Sequence, residues 1–382
     1  MKSIKIALAA ASIGVFGVLK TQAQINTGEI IKAGKEDGSV ILGSYVNPLL
    51  KSIGAGLNGG WYQSAKPLGP GGFNLNSSIN TILIPSADQS FDASALNLKT
   101  ISYVNDPSNN KMSPTVFGKD KPGSQMEIRT NINGVDTSIY KFNLPQGSGY
   151  ALMPVPVLQL NLGLVKKTEI GLRYFPPFDL RGMSGSLKGL SVMHDIKQWI
   201  PGLKSLPVDV FDLSVMAAYT DFNSEVKFEG ANSIQASVDN NTYNPNPSKV
   251  YSNQRMELKG SAWNANIVAS KKIAILTIYA GVGYQSSTVE TGMKGDYPVT
   301  VLNDISNVVN PMDPSFGKYK RVVEVTDPLS TKATLSGVRA NAGFRLKLTV
   351  FSLHADYTYS QYPMVTFGLG IGMQSLVPPK IN

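Results

Sequence analysis

Apolar residues recur at every second position along much of this chain. Phe351, Leu353, Ala355, Tyr357 and Tyr359 alternate with Ser352, His354, Asp356, Thr358 and Ser360. Val365, Phe367, Leu369, Ile371 and Met373 alternate with Thr366, Gly368, Gly370 and Gly372, and Ala340 to Leu348 alternate with Arg339, Asn341, Gly343, Arg345 and Lys347. Successive side chains of a strand point to opposite faces, so this period of two predicts long strands with one apolar face and one polar or bare face. Further apolar rows run through Leu158 to Leu164, Phe211 to Tyr219 and Leu276 to Tyr284.

The spaces between these rows are of two kinds. Lys166-Lys167, Lys271-Lys272 and Lys347 to Val350 mark tight turns, whereas 238–252 and 292–332 are long and rich in Asn, Asp, Pro and Ser. Strands are predicted near 60–66, 71–84, 96–104, 150–165, 168–176, 186–194, 207–222, 253–271, 273–290, 333–347, 350–361 and 364–375. This is an all-β chain, a transmembrane antiparallel β-barrel of about twelve strands, or fourteen if a hairpin around Asn133-Gly134 joins the wall. With both chain ends on the turn side, 105–149, 223–252 and 291–332 all fall on the other side. A secreted β-sandwich also alternates, but it keeps charge off its inner faces. Here the less apolar face carries Gly, Asn, Thr and Arg, as a lumen allows. Tyr174, Phe175, Phe178, Trp263, Tyr279, Tyr284, Tyr357, Tyr359 and Tyr362 are expected near the membrane interfaces.

The first residues have a different texture. Lys2 and Lys5 precede an apolar stretch from Ile6 to Leu19, and Thr21-Gln22-Ala23 offers a cleavage site, so residues 1–23 read as a secretory signal peptide. Residues 24–58 hold a helix-like apolar stretch, Gly38 to Leu50, interrupted by Pro48 and followed by glycines. It is too broken to span a membrane and is expected to plug the lumen or lie against its periplasmic mouth. The barrel is then 59–376 and 377–382 a periplasmic tail. Removal of Lys2, Lys5 and Lys20 lowers the formal charge from +9 to +6, spread along the chain without the basic block of a nucleic-acid binder.

No cysteine is present, which excludes disulfides, thiolate metal sites and thiol nucleophiles, and the two histidines stand in no metal-ligand spacing. No cofactor is implied. The inner rows nominate Arg173, Arg339, Asn341, Arg345, His354 and Asp356 as lumen or binding residues. His354 and Asp356 are expected to pair with Arg345 or Asn341 across a hairpin, and the basic cluster with Lys347 to close the lumen or select anions. His194, Asp195, Gln198 and Trp199, before Pro201-Gly202, read as a small periplasmic helix with Trp199 as interfacial anchor. Neither histidine is accompanied by a serine motif, so the chain is not expected to be an enzyme.

Gly60-Trp61-Tyr62-Gln63-Ser64-Ala65, Gly72-Phe73-Asn74-Leu75, Pro154-Val155-Pro156 with Gln159, Thr168 to Tyr174 with Pro176, and His194-Asp195-Ile196-Lys197-Gln198-Trp199-Ile200-Pro201 resemble an uncharacterised outer-membrane barrel family of Bacteroidota. That family is distantly similar to the long-chain fatty-acid transporters, from whose fourteen strands the count here departs. The resemblance implies an outer-membrane channel or transporter for hydrophobic or amphipathic small molecules, embedded in outer-membrane lipid; such a transporter needs an apolar pocket near the plug and a lateral gap where Gly or Pro kinks a strand, as around Pro154-Pro156. The alternative is an accessory or structural barrel subunit of a cell-surface secretion or uptake complex, whose partners are other cell-envelope proteins.

Overall fold

A computed structural model describes residues 34–132, 135–180, 182–201, 210–228, 233–236, 239–302, 312–315, 318 and 320–375. The expected signal peptide, the start of the plug-like segment, Asn133-Gly134 and the tail at 377–382 lie outside the described residues.

Ten strands close into one antiparallel barrel. They are β1 (Phe73–Leu83), β2 (Leu152–Leu164), β3 (Thr168–Leu180), β4 (Met183–Asp195), β5 (Asp212–Lys227), β6 (Arg255–Ile273), β7 (Leu276–Lys294), β8 (Ser330–Leu348), β9 (Phe351–Tyr359) and β10 (Met364–Met373). Each pairs with its sequence neighbour, and β1 also pairs with β10, Phe73 opposite Met373 and Ile82 opposite Met364. Closure leaves the wall no terminal edge strand. The turns at 165–167, 274–275 and 349–350 lie at the end that holds Phe73 and Met373. Lys166, Ala274 and Thr349 adopt positive φ of 55°, 54° and 57° there, a backbone hand that matches the twist of paired strands. At the opposite end, the described residues of 84–151, 228–254 and 295–329 form a head containing three small separate sheets.

The two faces of the wall exchange character along the strands. In β7 the outward row Ile278, Ala280, Val282 and Tyr284 is apolar, then gives way to Ser286, Thr288 and Glu290. The inward row begins with Thr277 and Gly281 and ends in buried Val289 and Met293. β8 does the same, with outward Val338 to Phe344 and inward Arg339 and Asn341 below, but outward Lys332 and Thr334 over buried Ala333 and Leu335 above. β6, β7 and β8 have 19 residues each. A tilted strand needs ~9–11 to cross hydrocarbon, so the remainder forms the head, whose apolar side turns inward.

Among the described residues one α-helix, α1 (Lys35–Asn58), runs down the lumen over about 36 Å. Its sequence texture is less disruptive than it reads. Pro48 sits inside the helix without ending it, and Gly54 and Gly56 mark where the wall comes closest. A Cβ on Gly54 would lie 2.1 Å from Ser287 Oγ, and one on Gly56 2.6 Å from Val155 Cγ2. Ile41, Leu42, Tyr45, Leu50 and Ile53 are buried with Val289, Met293, Leu329 and Leu335 in the core that fills the loop-side mouth. Residues 59–72 then continue inside the barrel as irregular chain to the turn-side end, where Gly69 N donates to Gln374 O and Gly71 N to Gly163 O.

Several expectations are corrected. The wall has ten strands instead of twelve or fourteen. Residues 60–66 are not a strand: Trp61 to Ala65 are buried in succession because protein surrounds them on every side within the lumen. Of 96–104 only Ile101–Tyr103 is extended, and it pairs with Gln125–Ile132 in the head. The hairpin of Gln125–Ile132 and Val135–Asn143 exists but stays in that separate sheet. The two ends of the described chain lie on opposite sides. Ser375 is at the turn side, whereas α1 starts at the loop side, Ser39 Oγ accepting from Ser330 N and Asp37 binding the 99–101 backbone. Tyr174, Trp263, Tyr284, Tyr357 and Tyr359 face outward as expected, but Tyr279 and Tyr362 point inward and are buried.

This exchange of faces makes a direct prediction. In lipid vesicles, Val282→Arg in the outward apolar row is expected to lower stability to urea by about 2–4 kcal/mol, and Thr288→Arg on the same strand by less than about 1 kcal/mol. Equal losses at the two positions would contradict the assignment of the apolar band to the bilayer.

Candidate functional site

The last turn of a helix leaves carbonyl oxygens without intrahelical partners, and the last turn of α1 lies inside the barrel and contains no basic residue of its own. The wall supplies the donors. Arg173 of β3 donates from Nη1 to Leu57 O (2.8 Å), from Nη2 to Gly59 O (2.6 Å) and from Nε to Gln159 Oε1 (2.9 Å). Arg339 of β8 donates to Asn58 O at 2.6 Å, Asn264 of β6 to the same oxygen at 3.2 Å, and Asn80 of β1 to Gly56 O at 2.7 Å. Arg173 is 2% exposed, and its guanidinium carbon stands 3.6 Å from the centroid of the Trp61 ring. Two cations therefore meet the negative end of the helix dipole, and the planar fork of Arg173 serves three acceptors at once.

Below this grip the irregular segment needs the same service, because backbone N–H and C=O groups inside a lumen must find partners. Gln159 donates to Trp61 O at 2.9 Å, Ser214 to Ala65 O at 2.6 Å, and Ala65 N donates to Ser270 Oγ at 2.9 Å. Glu169 accepts from Leu68 N at 2.8 Å and from Asn161 Nδ2 at 2.6 Å. Tyr62 donates its hydroxyl to Asn341 Oδ1 at 2.6 Å, and Tyr279 donates to Asp356 Oδ2 at 3.0 Å.

The sequence-nominated residues thus divide. Arg173, Arg339, Asn341 and Asp356 all line the middle of the lumen, the two arginines in contact with the end of α1 and Asn341 with Tyr62 of the irregular segment. His354 is directly opposite Arg345 in the β8–β9 register and fully buried, beside Ser78 and Gly368, and Asp356 is opposite Gly343. Arg345 lines a separate recess nearer the turn-side mouth. His194 and Asp195 end β4 and precede a short 3-10 turn, Lys197–Trp199. There Trp199 Nε1 donates to His194 Nε2 at 2.9 Å, Gln198 donates to Asp195 O at 2.8 Å, and Lys167 pairs with Asp195 at 3.0 Å. Trp199 itself is exposed. Sequence reasoning missed Asn58, Asn80, Gln159, Glu169, Asn264 and Ser270. Asn264 was detectable as an inner-face position between outward Trp263 and Ala265, but nothing local shows that it meets a helix 206 residues away.

The loop-side end of α1 is held by an acid. Burial alone would raise the Asp37 carboxyl, but hydrogen bonds from the backbone N–H groups of Lys99, Thr100 and Ile101 and from the Thr100 hydroxyl outweigh it and hold the group below its ordinary value. A carboxyl whose value is depressed on folding stabilises above its unfolded value, near 4, and loses that contribution as pH falls through the folded value. Hydrogen exchange at Lys99 to Ile101 is therefore expected to be slow at neutral pH, to quicken selectively below about pH 4, and to be quick at neutral pH in Asp37→Asn.

The grip makes a second prediction. Arg173→Met strands three acceptors and is expected to cost about 3 kcal/mol or more in urea unfolding. Arg339→Met is expected to cost less, since Asn264 still reaches Asn58 O. Protease cleavage within α1 should rise in the same order.

No curated protein matches the chain. Among solved structures it is similar to Ail, the attachment invasion locus protein of Yersinia pestis, at 9% identity over 79% of this chain and 97% of that one, with a TM-score of 0.24. It is also similar to the outer membrane transporter YddB of Escherichia coli (8%, 79% and 41%, 0.27) and to the translocator domain of the autotransporter NalP of Neisseria meningitidis (8%, 85% and 92%, 0.26). At these scores the barrel rests on its own hydrogen-bond ladder. Residues 1–373 match the Family of unknown function (DUF6588), a span that takes in the plug, its grip and all ten strands, and the chain belongs to that family.

Proposed function

We propose that this chain is an outer-membrane protein that handles hydrophobic or amphipathic small molecules at its wall, with the axial route held shut by α1. The outward apolar band supports the membrane location, and the resemblance to barrels of Bacteroidota and to long-chain fatty-acid transporters points the same way. The observation that carries the reading is a break in the ladder. β2 and β3 pair from Leu164↔Thr168 only as far as Gln159↔Arg173. Beyond that level β2 continues with β1 alone and β3 with β4 alone, while β6 and β7 stay paired over their full length.

Prolines flank the break. Pro154 and Pro156 on β2 and Pro176 and Pro177 on β3 have no N–H to donate, and the β3–β4 register shifts between Phe175 and Phe178. Behind it lie buried Val155 and Val157, with α1 touching Val155 at Gly56. An acyl chain entering there would meet apolar side chains instead of the polar lower lumen.

A cysteine-free chain lends itself to a clean test. Leu158→Cys with Tyr174→Cys, joined by a short bis-thiol cross-linker, ties the two strands above their last pair. Uptake of a fluorescent long-chain fatty acid into proteoliposomes is expected with the unlinked pair and should fall to the protein-free level once it is linked. Unchanged uptake after linking, or none before it, would overturn the reading. The accessory-subunit reading draws instead on the ordered sheets of the head, and recovery of a stoichiometric cell-envelope partner by a barrel inactive in uptake would favour it.

A further inference from the structure

The turn-side end of the lumen has a chemistry that neither the plug nor the wall break uses. A recess there is lined by Gln63 and Lys66 of the irregular segment, Glu169 of β3, Arg345 and Lys347 of β8, and Ser352 of β9. Its charged groups are unbalanced, with three cations against one carboxylate. Both oxygens of that carboxylate are already occupied, by Leu68 N and Asn161 Nδ2. Among the described residues Arg345 has no carboxylate in direct contact, feeling Glu169 only across the recess, and its Nε is buried without a partner. Gln63 is 6% exposed, and its Nε2 is likewise buried with both protons unclaimed.

The bare inner face of β10 extends this polar surface inward. A Cβ on Gly370 would lie 2.6 Å from Ser352 Oγ, 3.0 Å from Asn74 Oδ1 and 3.4 Å from Asn76 Oδ1, so the wall there presents one hydroxyl that can donate beside two amide oxygens that accept, and an anion sits on the Arg345 side, away from them. Asn76 is 1% exposed, and neither atom of its amide has a partner. Unsatisfied buried donors are costly, and those of Arg345 and Gln63, on one recess with an excess of positive charge, mark a place built for an acceptor. The recess is narrow, with about 20 Å³ of room for the centres of water-sized atoms, and suits a compact oxyanion group better than a sugar or an acyl chain.

We propose that this recess is a binding site for a single small oxyanion group, a carboxylate or a phosphate, seated on Arg345 with Gln63 donating from the plug side and Lys347 and Lys66 supplying long-range attraction. The group reaches it from the turn-side mouth, and nothing in this assignment depends on how the wall break is used. Because Gln63 belongs to the segment that continues from the plug, an anion here also ties that segment to β8.

Isothermal titration of the detergent-folded full barrel at low ionic strength tests it, with inorganic phosphate in one arm and acetate in the other. Saturable one-to-one binding is expected in at least one arm, lost in Arg345→Gln and weakened in Lys347→Gln. The arm that binds more tightly distinguishes phosphate from carboxylate. Unchanged binding in Arg345→Gln, or no saturable heat in either arm for a barrel that keeps its heat-modifiable mobility on gels, overturns the proposal. A second variant, Gln63→Leu, should weaken binding with α1 still protected from protease, which separates loss of the site from loss of the plug.

Discussion

The carboxyl end of α1 is the constraint on which the rest of the barrel turns. A helix that ends in the middle of a protein has no water to take up its final carbonyls, so the surrounding strands must present donors at one level and in one direction. Four strands do so, through Asn80, Arg173, Asn264 and Arg339, while Gln159 of a fifth accepts from Arg173 Nε and holds that fork in place. The polar inner face of the wall at this level is thereby accounted for: its donors are matched to the last carbonyls of a helix. The two buried arginines are tolerable for the same reason, since oxygens at the negative end of a helix dipole and the Trp61 ring replace the water they give up.

From that level the molecule differs in its two directions. Toward the loops the lumen becomes apolar, with the first half of α1 packed into a core whose outer faces are polar. Toward the turns it becomes polar and partly open, with Arg345, Lys347 and Glu169 around a small recess. The axis is therefore closed by packing at one end and by hydrogen-bonded chain at the other, and traffic through this barrel needs either displacement of α1 or a route through the wall. In the function proposed above, the short β2–β3 ladder serves as the second without breaking the grip, since its last pair, Gln159 and Arg173, belongs to both.

How much of this could be read beforehand differs between the barrel and its site. All ten wall strands were legible, because period-two rows or strand-forming runs mark each of them, and the positions between Ala340 and Leu348 already placed Arg339, Asn341 and Arg345 on the inner face. The same periodicity failed at 60–66, where aromatic residues that favour strands are instead enclosed by the wall. It also failed at 96–104, which pairs within the head. Pattern records whether a residue has an apolar side to hide; it does not record which surface does the hiding.

The sequence by itself determined that this chain forms strands with two unlike faces, turns of two lengths and a membrane-sized apolar band, because those follow from side-chain period and local turn chemistry. Only the tertiary structure decided that the wall has ten strands, that the helix passes Pro48 unbroken, that it starts at the loop side, and that Arg173 and Arg339 serve its last carbonyls. Those outcomes depend on contacts between residues a hundred or more positions apart. Their geometry exists only once the sheet has closed around the plug.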